Sequence, residues 1–428
     1  MHEGNSWPEA RLGDLSTFIG SGVTPRGGSK VYTKSGIPFL RSQNVHFGGL
    51  RLDDVAFISP NLHAELDRTH VQPGDVLLNI TGASIGRCTT VPKDLGPANV
   101  NQHVCIIRTD PTRLNGKFLA YLLESRRGQA QVFGRQAGLS REALNYEQVR
   151  SFSIALPSLS EQRKIADIFS SLEDTLEKTQ AIIDQLEVVK NGLLWELLTK
   201  GIGNPKSQCH KEFGVSIPIH WQVLPFDKLL SGIDAGWSPQ CESRSASDGE
   251  WGVLKVSAVS SGRYIQAENK ALPKPMESRP DLEVRQGDVL IARANGVLEL
   301  VGRSAFVHRT RTRLMLSDKT LRLRPLHEQL LPYFLHLLLG FEPVRTQVLE
   351  GATGSHMRNI SQSAIRKVIA PIPPLAEQKT IADTAIAIEE RIAAERESLT
   401  AQKELKASLL DSLLSGQIRP PAPEQEAA

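Results

Sequence analysis

Three stretches of the 428-residue chain carry residue types that could do chemistry, and each fails on spacing. Pro280-Asp281-Leu282-Glu283-Val284-Arg285 has the acidic pair of a metal-dependent nuclease. Such a site needs its Asp and its Glu-x-Lys on separate strands, with the metal ion between them. Here they are contiguous, the lysine is an arginine, and a Gly-Asp-Val-Leu strand signal follows at once, so a turn before a strand is the better reading. Asn204-Pro205-Lys206-Ser207 starts like the Asn-Pro-Pro-aromatic loop of amino-methyltransferases, but it lacks the second proline and the aromatic that would stack on a base. Gly20-Ser21-Gly22 is a lone GxG, and no GxxxxGK(S/T) phosphate cradle occurs. No His/Asp/Glu cluster has metal-ligand spacing, and no Ser or Cys sits in a nucleophile motif. The expectation is a non-catalytic chain with no metal.

A different chemistry, the reading of base edges, needs polar side chains on loops: Arg or Lys for guanine, Asn or Gln for adenine. Arg41, Ser42, Gln43 and Asn44 follow a strand signal and form one such set. Arg87 closes a TGASIGR loop, and Gln136, Ser140 and Arg141 surround Gly138. Further along stand Lys255 and Ser257, Arg293 and Asn295, Arg303, and then Ser355, His356 and Arg358. The run His308 to Arg313, with Arg309, Arg311 and Arg313, reads as a basic hairpin tip suited to phosphates. Asn101-Gln102-His103 also reads as a strand cap.

The elements that must position these residues occur twice. LPSLSEQRKIAD at 156–167 returns as IPPLAEQKTIAD at 372–383, with Pro, Leu, Glu, Gln, Ile, Ala and Asp identical, and no solenoid has so long a period. Trp7 matches Trp221, Gly74-Asp75-Val76-Leu77 matches Gly287-Asp288-Val289-Leu290, and Gly86-Arg87 matches Gly302-Arg303. Arg41 falls on Lys255, and Asn101-Gln102-His103 on Ser317-Asp318-Lys319. Apolar positions hold while exposed polar ones differ, which predicts one scaffold carrying two different sites.

After each motif a long helix is expected. Ser160 is the expected N-cap of the first. Ile165, Ile168, Leu172, Thr175, Thr179, Ile182, Leu186, Val189 and Leu193 form a heptad seam along a helix about 60 Å long. The second seam is interrupted at Glu395 and Gln402. The helix ends repeat as LLWELLTKG and LLDSLLSGQ, with Gly201 and Gly416 as stops. The domain reading is 1–155, a first globular unit; 156–203, a central coiled-coil helix; 204–371, a second globular unit; 372–417, a C-terminal coiled-coil helix; and 418–428, a disordered tail.

Both globular segments carry an excess of Lys and Arg and both helical segments an excess of Asp and Glu, which fits domains meeting a polyanion while the helices meet something else. No apolar run is long enough for a membrane span. No signal pattern opens the chain, and its four cysteines show no CxxC pairing, so a cytoplasmic location with free thiols is expected.

The duplicated Pro-x-Leu-x-Glu-Gln-x-x-Ile-Ala motif, the Gly-Asp-Val-Leu strand with its Gly-Arg partner, the repeated helix ends and the IPIHWQVLPF entry at 217–226 together resemble the specificity subunit of type I restriction–modification systems. The resemblance covers nearly the whole chain. It implies an α/β (α+β) fold of two target-recognition domains joined by two long antiparallel coiled-coil helices, with approximate two-fold symmetry. Each domain would read one half of a bipartite double-stranded DNA target, and the helices would set the spacer. The chain would recruit two methyltransferase subunits, which use S-adenosylmethionine on adenine N6, and restriction subunits, which use ATP and Mg. No cofactor would bind the chain itself. An orphan subunit without an active nuclease partner and a coiled-coil scaffold remain open on sequence grounds.

Overall fold

The structure, a computed structural model, describes residues 7–134, 143–354 and 357–420. It divides into two compact units, Met1–Ile182 with Glu395–Ala428, and Ile183–Ala394. The division falls inside both long helices, Leu159–Lys200 and Leu375–Leu414.

In the first unit, Val76–Asn79 is apolar at three successive positions because both of its faces are covered. It pairs antiparallel with Val104–Thr109 and Cys88–Thr90, and Ser16–Ser21 completes a four-stranded sheet. Alternation sends Val76 and Leu78 into a core with Phe118, Leu119 and Leu122 of helix Gly116–Glu124. Leu77 goes the other way, to Leu40 and Val100 of a second sheet. That sheet holds strands Ala56–Ile58, Ile37–Leu40 and Asn99–Val100. The helical signal over 115–134 resolves into two helices, Gly116–Glu124 and Arg126–Gly134, because Ser125 takes an extended conformation between them.

The second unit repeats this order with Leu230–Ala235, Thr320–Pro325, Val289–Ala292 and Ser304–Phe306. Val289 and Ile291 pack on Phe334 and Leu338 of helix Pro332–Gly340, while Leu290 packs with Leu254 and Leu314. The expected mixture of helices and strands in two similar units, with two long helices, is therefore present.

The aspartates of the two Gly-Asp-Val-Leu turns are clamps. Asp75 is buried and takes both arms of the Arg108 guanidinium, at 2.8 and 2.7 Å, and the Gln72 amide at 2.7 Å. Asp288 accepts from the Arg285 amide at 2.8 Å and from Arg322 at 3.2 Å.

The repeated Glu-Gln motif is also architectural. Gln162 has no exposed surface; its amide donates to the Arg113 and Pro157 carbonyls and accepts from the Asn115 N–H. Gln378 does the same with Gln329, Pro373 and Leu331. Each glutamine thereby fastens the start of a long helix to the loop before the sheet-covering helix. The first helix is capped by Ser158 rather than Ser160: Glu161 N–H donates to Ser158 Oγ, and the Glu161 carboxylate accepts from the Ser158 amide, a reciprocal box.

In the first unit the two helices run antiparallel, Glu173 meeting Lys406 at 2.8 Å and Thr179 meeting Gln402 at 3.3 Å. The weak threonine of one seam thus pairs with the interruption of the other. The heptad reading drifts further on. Ile182 and Val189 are exposed, and Ile183 is buried instead. From Ile165 to Ile183 is 18 residues, five full turns at 3.6, so a straight helix presents Ile183 on the face of Ile165. In the second unit Leu194, Leu197 and Leu198 pack with Ile381, Ala382 and Ala385. Gly201 and Gly416 have φ of 67° and 75°, as helix stops require.

His336 is half-buried, 2.9 Å from Ser304 Oγ, and desolvation pushes its imidazole down to about 4 from the ordinary 6.5. A folded value below the unfolded one contributes stability above about pH 6.5 that is lost as pH falls toward 4. Hydrogen exchange in the Pro332–Gly340 helix should accelerate over that window, and His336→Gln should flatten the slope. Among the described residues no helix is long and apolar enough to cross a membrane, and no group of three or more His, Cys, Asp or Glu could hold a metal ion.

Candidate nucleic-acid interface

Antiparallel pairing brings the end of Ser16–Ser21, the end of Val76–Asn79 and the start of Val104–Thr109 to the same end of the first sheet. Three loops gather there. The Asn79 side-chain Nδ2 donates to the Ser42 carbonyl at 2.8 Å, and the Asn101 backbone N–H to the Leu40 carbonyl at 3.0 Å. Thr81 Oγ1 lies 2.6 Å from His103 Nδ1, and Gln102 Nε2 lies 2.7 Å from His103 Nε2. Gly22 passes so close to the 100–101 backbone that a Cβ there would sit 1.7 Å from the Val100 oxygen; Gly236 meets Leu316 and Ser317 in the same way. Gly22→Ala should therefore cost about 2 kcal/mol and disorder this edge first, visible as faster exchange of the Asn101 and Val104 amides.

Arg41 lies half-buried in this cluster. Its Nη2 donates to the Asp54 carbonyl at 3.0 Å and stands 3.8 Å from the Asp54 carboxylate, while its Nε is buried without a partner. Gln43 is exposed and donates to Asp54 Oδ2 at 2.7 Å. Ser42 is half-buried. Asn44 does not face outward: it is 2 % exposed, its Oδ1 accepting from the Arg41 amide and its Nδ2 donating to the Arg51 carbonyl. It holds the turn that presents its neighbours. Arg87 is half-buried after the Gly82–Ser84 turn. Gln136, Ser140 and Arg141 lie outside the described residues, as do Ser355 and His356 and positions 421–428 of the expected tail.

The second unit assembles the equivalent edge from other side chains. Lys255 Nζ is 3.5 Å from Glu268, and Ser257 Oγ donates to the same carboxylate at 2.6 Å. The Ser257 hydrogen bond and the Lys255 ammonium hold Glu268 below the usual carboxylate range. The Arg293 N–H donates to the Lys319 carbonyl at 2.8 Å, its guanidinium reaching the Asp318 carbonyl at 3.5 Å. Asn295 lies opposite Arg358 in a three-stranded ribbon of Ala294–Asn295, Arg358–Ile360 and Ala352–Thr353. The Asn295 side chain accepts from the Val297 amide. Arg303 is exposed beside Arg345, and both donate to the Glu299 carbonyl. Burial first, and then Arg303, pushes the Arg345 guanidinium down to about 10.

The basic run differs from its expected form. Ser304–Phe306 pairs in the four-stranded sheet and Leu314–Met315 pairs with Gly252–Leu254, so residues 307–313 cross between two sheets and are not a hairpin tip. Arg311 donates to the Glu250, Thr312 and Ala246 carbonyls and Arg313 to the Gly249 carbonyl. Both guanidiniums tie down the 246–250 loop, while Arg309 is exposed. Asp54, Glu268, Thr81 and Arg345 were missed because single acidic, hydroxyl or basic residues carry no local signal. The 214-residue offset that aligns Arg41 with Lys255 would have found the first two.

The chain thus holds two copies of one sheet-and-helix unit, each gathering polar loops at the same sheet end. The family model for the type I restriction modification DNA specificity domain matches residues 5–188 and 247–402, and the chain belongs to that family. It is similar to the type I restriction enzyme EcoEI specificity subunit of Escherichia coli, 37 % identical over 185 residues, 42 % of this chain and 30 % of that one. In that match the chain spans less than a third of its relative. The type I restriction enzyme EcoKI specificity subunit of Escherichia coli is 22 % identical over 389 residues, 88 % of this chain and 80 % of that one. Among solved structures, the type I restriction–modification S subunit from M. genitalium has the same fold, with a TM-score of 0.59 at 12 % identity over 99 % of this chain and 98 % of that one.

Proposed function

We propose that this chain is the sequence-specific DNA-binding, non-catalytic specificity subunit of a type I restriction–modification complex in the cytoplasm. Each unit reads one half of a bipartite double-stranded DNA target. The helices set the spacer and dock two methyltransferase subunits, and restriction subunits join the assembly. S-adenosylmethionine belongs to the methyltransferase, and ATP and Mg to the restriction subunits. The observation that carries this reading is the same sheet end furnished differently in the two units: Arg41, Gln43, Gln102 and His103 in one, Lys255, Ser257, Asp318 and Lys319 in the other. Phosphate contacts dock each unit, and different edge side chains select different bases.

The salt dependence of DNA binding by the chain with its methyltransferase tests this. Neutralising six or more phosphates gives a log–log slope of about −5 or steeper between 50 and 200 mM salt. A slope near zero would favour a coiled-coil scaffold.

A further inference from the structure

The same three-residue constellation occurs in both units at one sequence offset. Arg41, Gln43 and Asp54 recur 214 residues later as Lys255, Ser257 and Glu268. In each, a half-buried cation lies beside a carboxylate, 3.8 Å away in the first unit and 3.5 Å in the second. In each, the middle residue donates a hydrogen bond to that same carboxylate oxygen, from Gln43 at 2.7 Å and from Ser257 at 2.6 Å. Chemistry is kept at all three positions while the residues differ. The carboxylates are the outermost members: the Asp54 side chain is 89 % exposed against 26 % for Arg41, and Glu268 40 % against 34 % for Lys255. The first constellation adjoins the Asn79, Thr81, Gln102 and His103 cluster through the bond from Asn79 to the Ser42 carbonyl.

We propose that each cation–carboxylate pair reads one G·C base pair, so that Asp54 and Glu268 are specificity-determining residues of the two half-sites. The inference rests on the DNA-reading function proposed above. An unaccompanied Arg or Lys here would attract any phosphate, whatever the sequence. An adjacent carboxylate repels phosphate and cancels that attraction. The pair then gains only where a neutral surface offers acceptors to the cation and a donor to the acid. In the major groove guanine presents the acceptors O6 and N7, and its cytosine presents the N4 amino donor. Adenine sets a donor beside its single N7 acceptor, which a cation does not match. Gln43 and Ser257 hold the carboxylates in place before DNA arrives, so orientation is paid for in advance.

The test is Asp54→Asn and Glu268→Gln in the full-length chain, each co-expressed with its methyltransferase, with methylated adenine mapped by sequencing. Asp54→Asn should relax one G·C position of one half-site, discrimination there falling roughly 5- to 100-fold, and leave the other half-site unchanged. Glu268→Gln should do the converse. The reversed pair Lys255→Glu with Glu268→Lys should exchange G·C for C·G at the same position. Unchanged half-sites under both single variants, or a uniform loss of methylation at an unchanged motif, would overturn the inference alone. A wild-type chain that directs methylation to no split motif would overturn the DNA-reading function and this inference with it.

Discussion

Gln162→Ala should destabilise the first unit by about 4 kcal/mol. The side chain is completely buried, and its loss takes from the Arg113 and Pro157 carbonyls and the Asn115 N–H the partner they share in the fold. Each orphaned group costs about 1–3 kcal/mol, and relaxation recovers part of the sum. Gln378→Ala should cost the second unit the same, because its three bonds are equivalent. Glu161→Ala, one residue away, removes a half-buried cap and a 4.0 Å approach to Arg419, and should cost about 1 kcal/mol. A chain of two units has no single unfolding midpoint, so the readout is hydrogen exchange in the helices Gly116–Glu124 and Pro332–Gly340. Equal protection in Gln162→Ala and Glu161→Ala would contradict the assignment of the glutamine as a clamp.

Lys406→Met should cost the first unit about 3 kcal/mol at pH 8 and less at pH 5. Lys406 Nζ lies 2.9 Å from Glu124 and 2.8 Å from Glu173, and Tyr121 OH donates to Glu173 at 2.7 Å. Burial raises the Glu124 carboxyl above its ordinary range, and Lys406 opposes that rise. Without the ammonium the value rises further. A folded value above the unfolded one penalises the ionised form, so the penalty is full above the folded value and is relieved as pH falls through it. The variant and wild type should therefore converge on acidification. The corresponding Lys190 stands 3.8 Å from Glu389, and Lys190→Met should cost the second unit less. A pH-independent difference for Lys406→Met would mean that lost packing, not charge, dominates.

The architecture was legible because apolar burial repeats and turn geometry is local. The Gly-Asp-Val-Leu turns, the two long helices and their glycine stops all lie where period and residue type put them. Details set by tertiary competition were not. The cap moved from Ser160 to Ser158 because Glu161 closes a box only with a residue three before it. Asn44, an adenine reader by residue type, is consumed by the Arg41 and Arg51 backbone. Arg311 and Arg313 form a basic run in sequence, yet their guanidiniums turn onto carbonyls of a loop more than 60 residues away. Asp54 and Glu268 acquire meaning only when the two units are laid side by side, since neither acid is unusual alone.

Whether the two units read separate half-sites can be seen in a map of N6-methyladenine across the genome of a host lacking other adenine methylation, with this chain and its methyltransferase expressed together. The expected result is a split motif with one modified adenine in each half and a fixed spacer between them. Methylation at one short continuous motif would mean that the two units do not read separate half-sites.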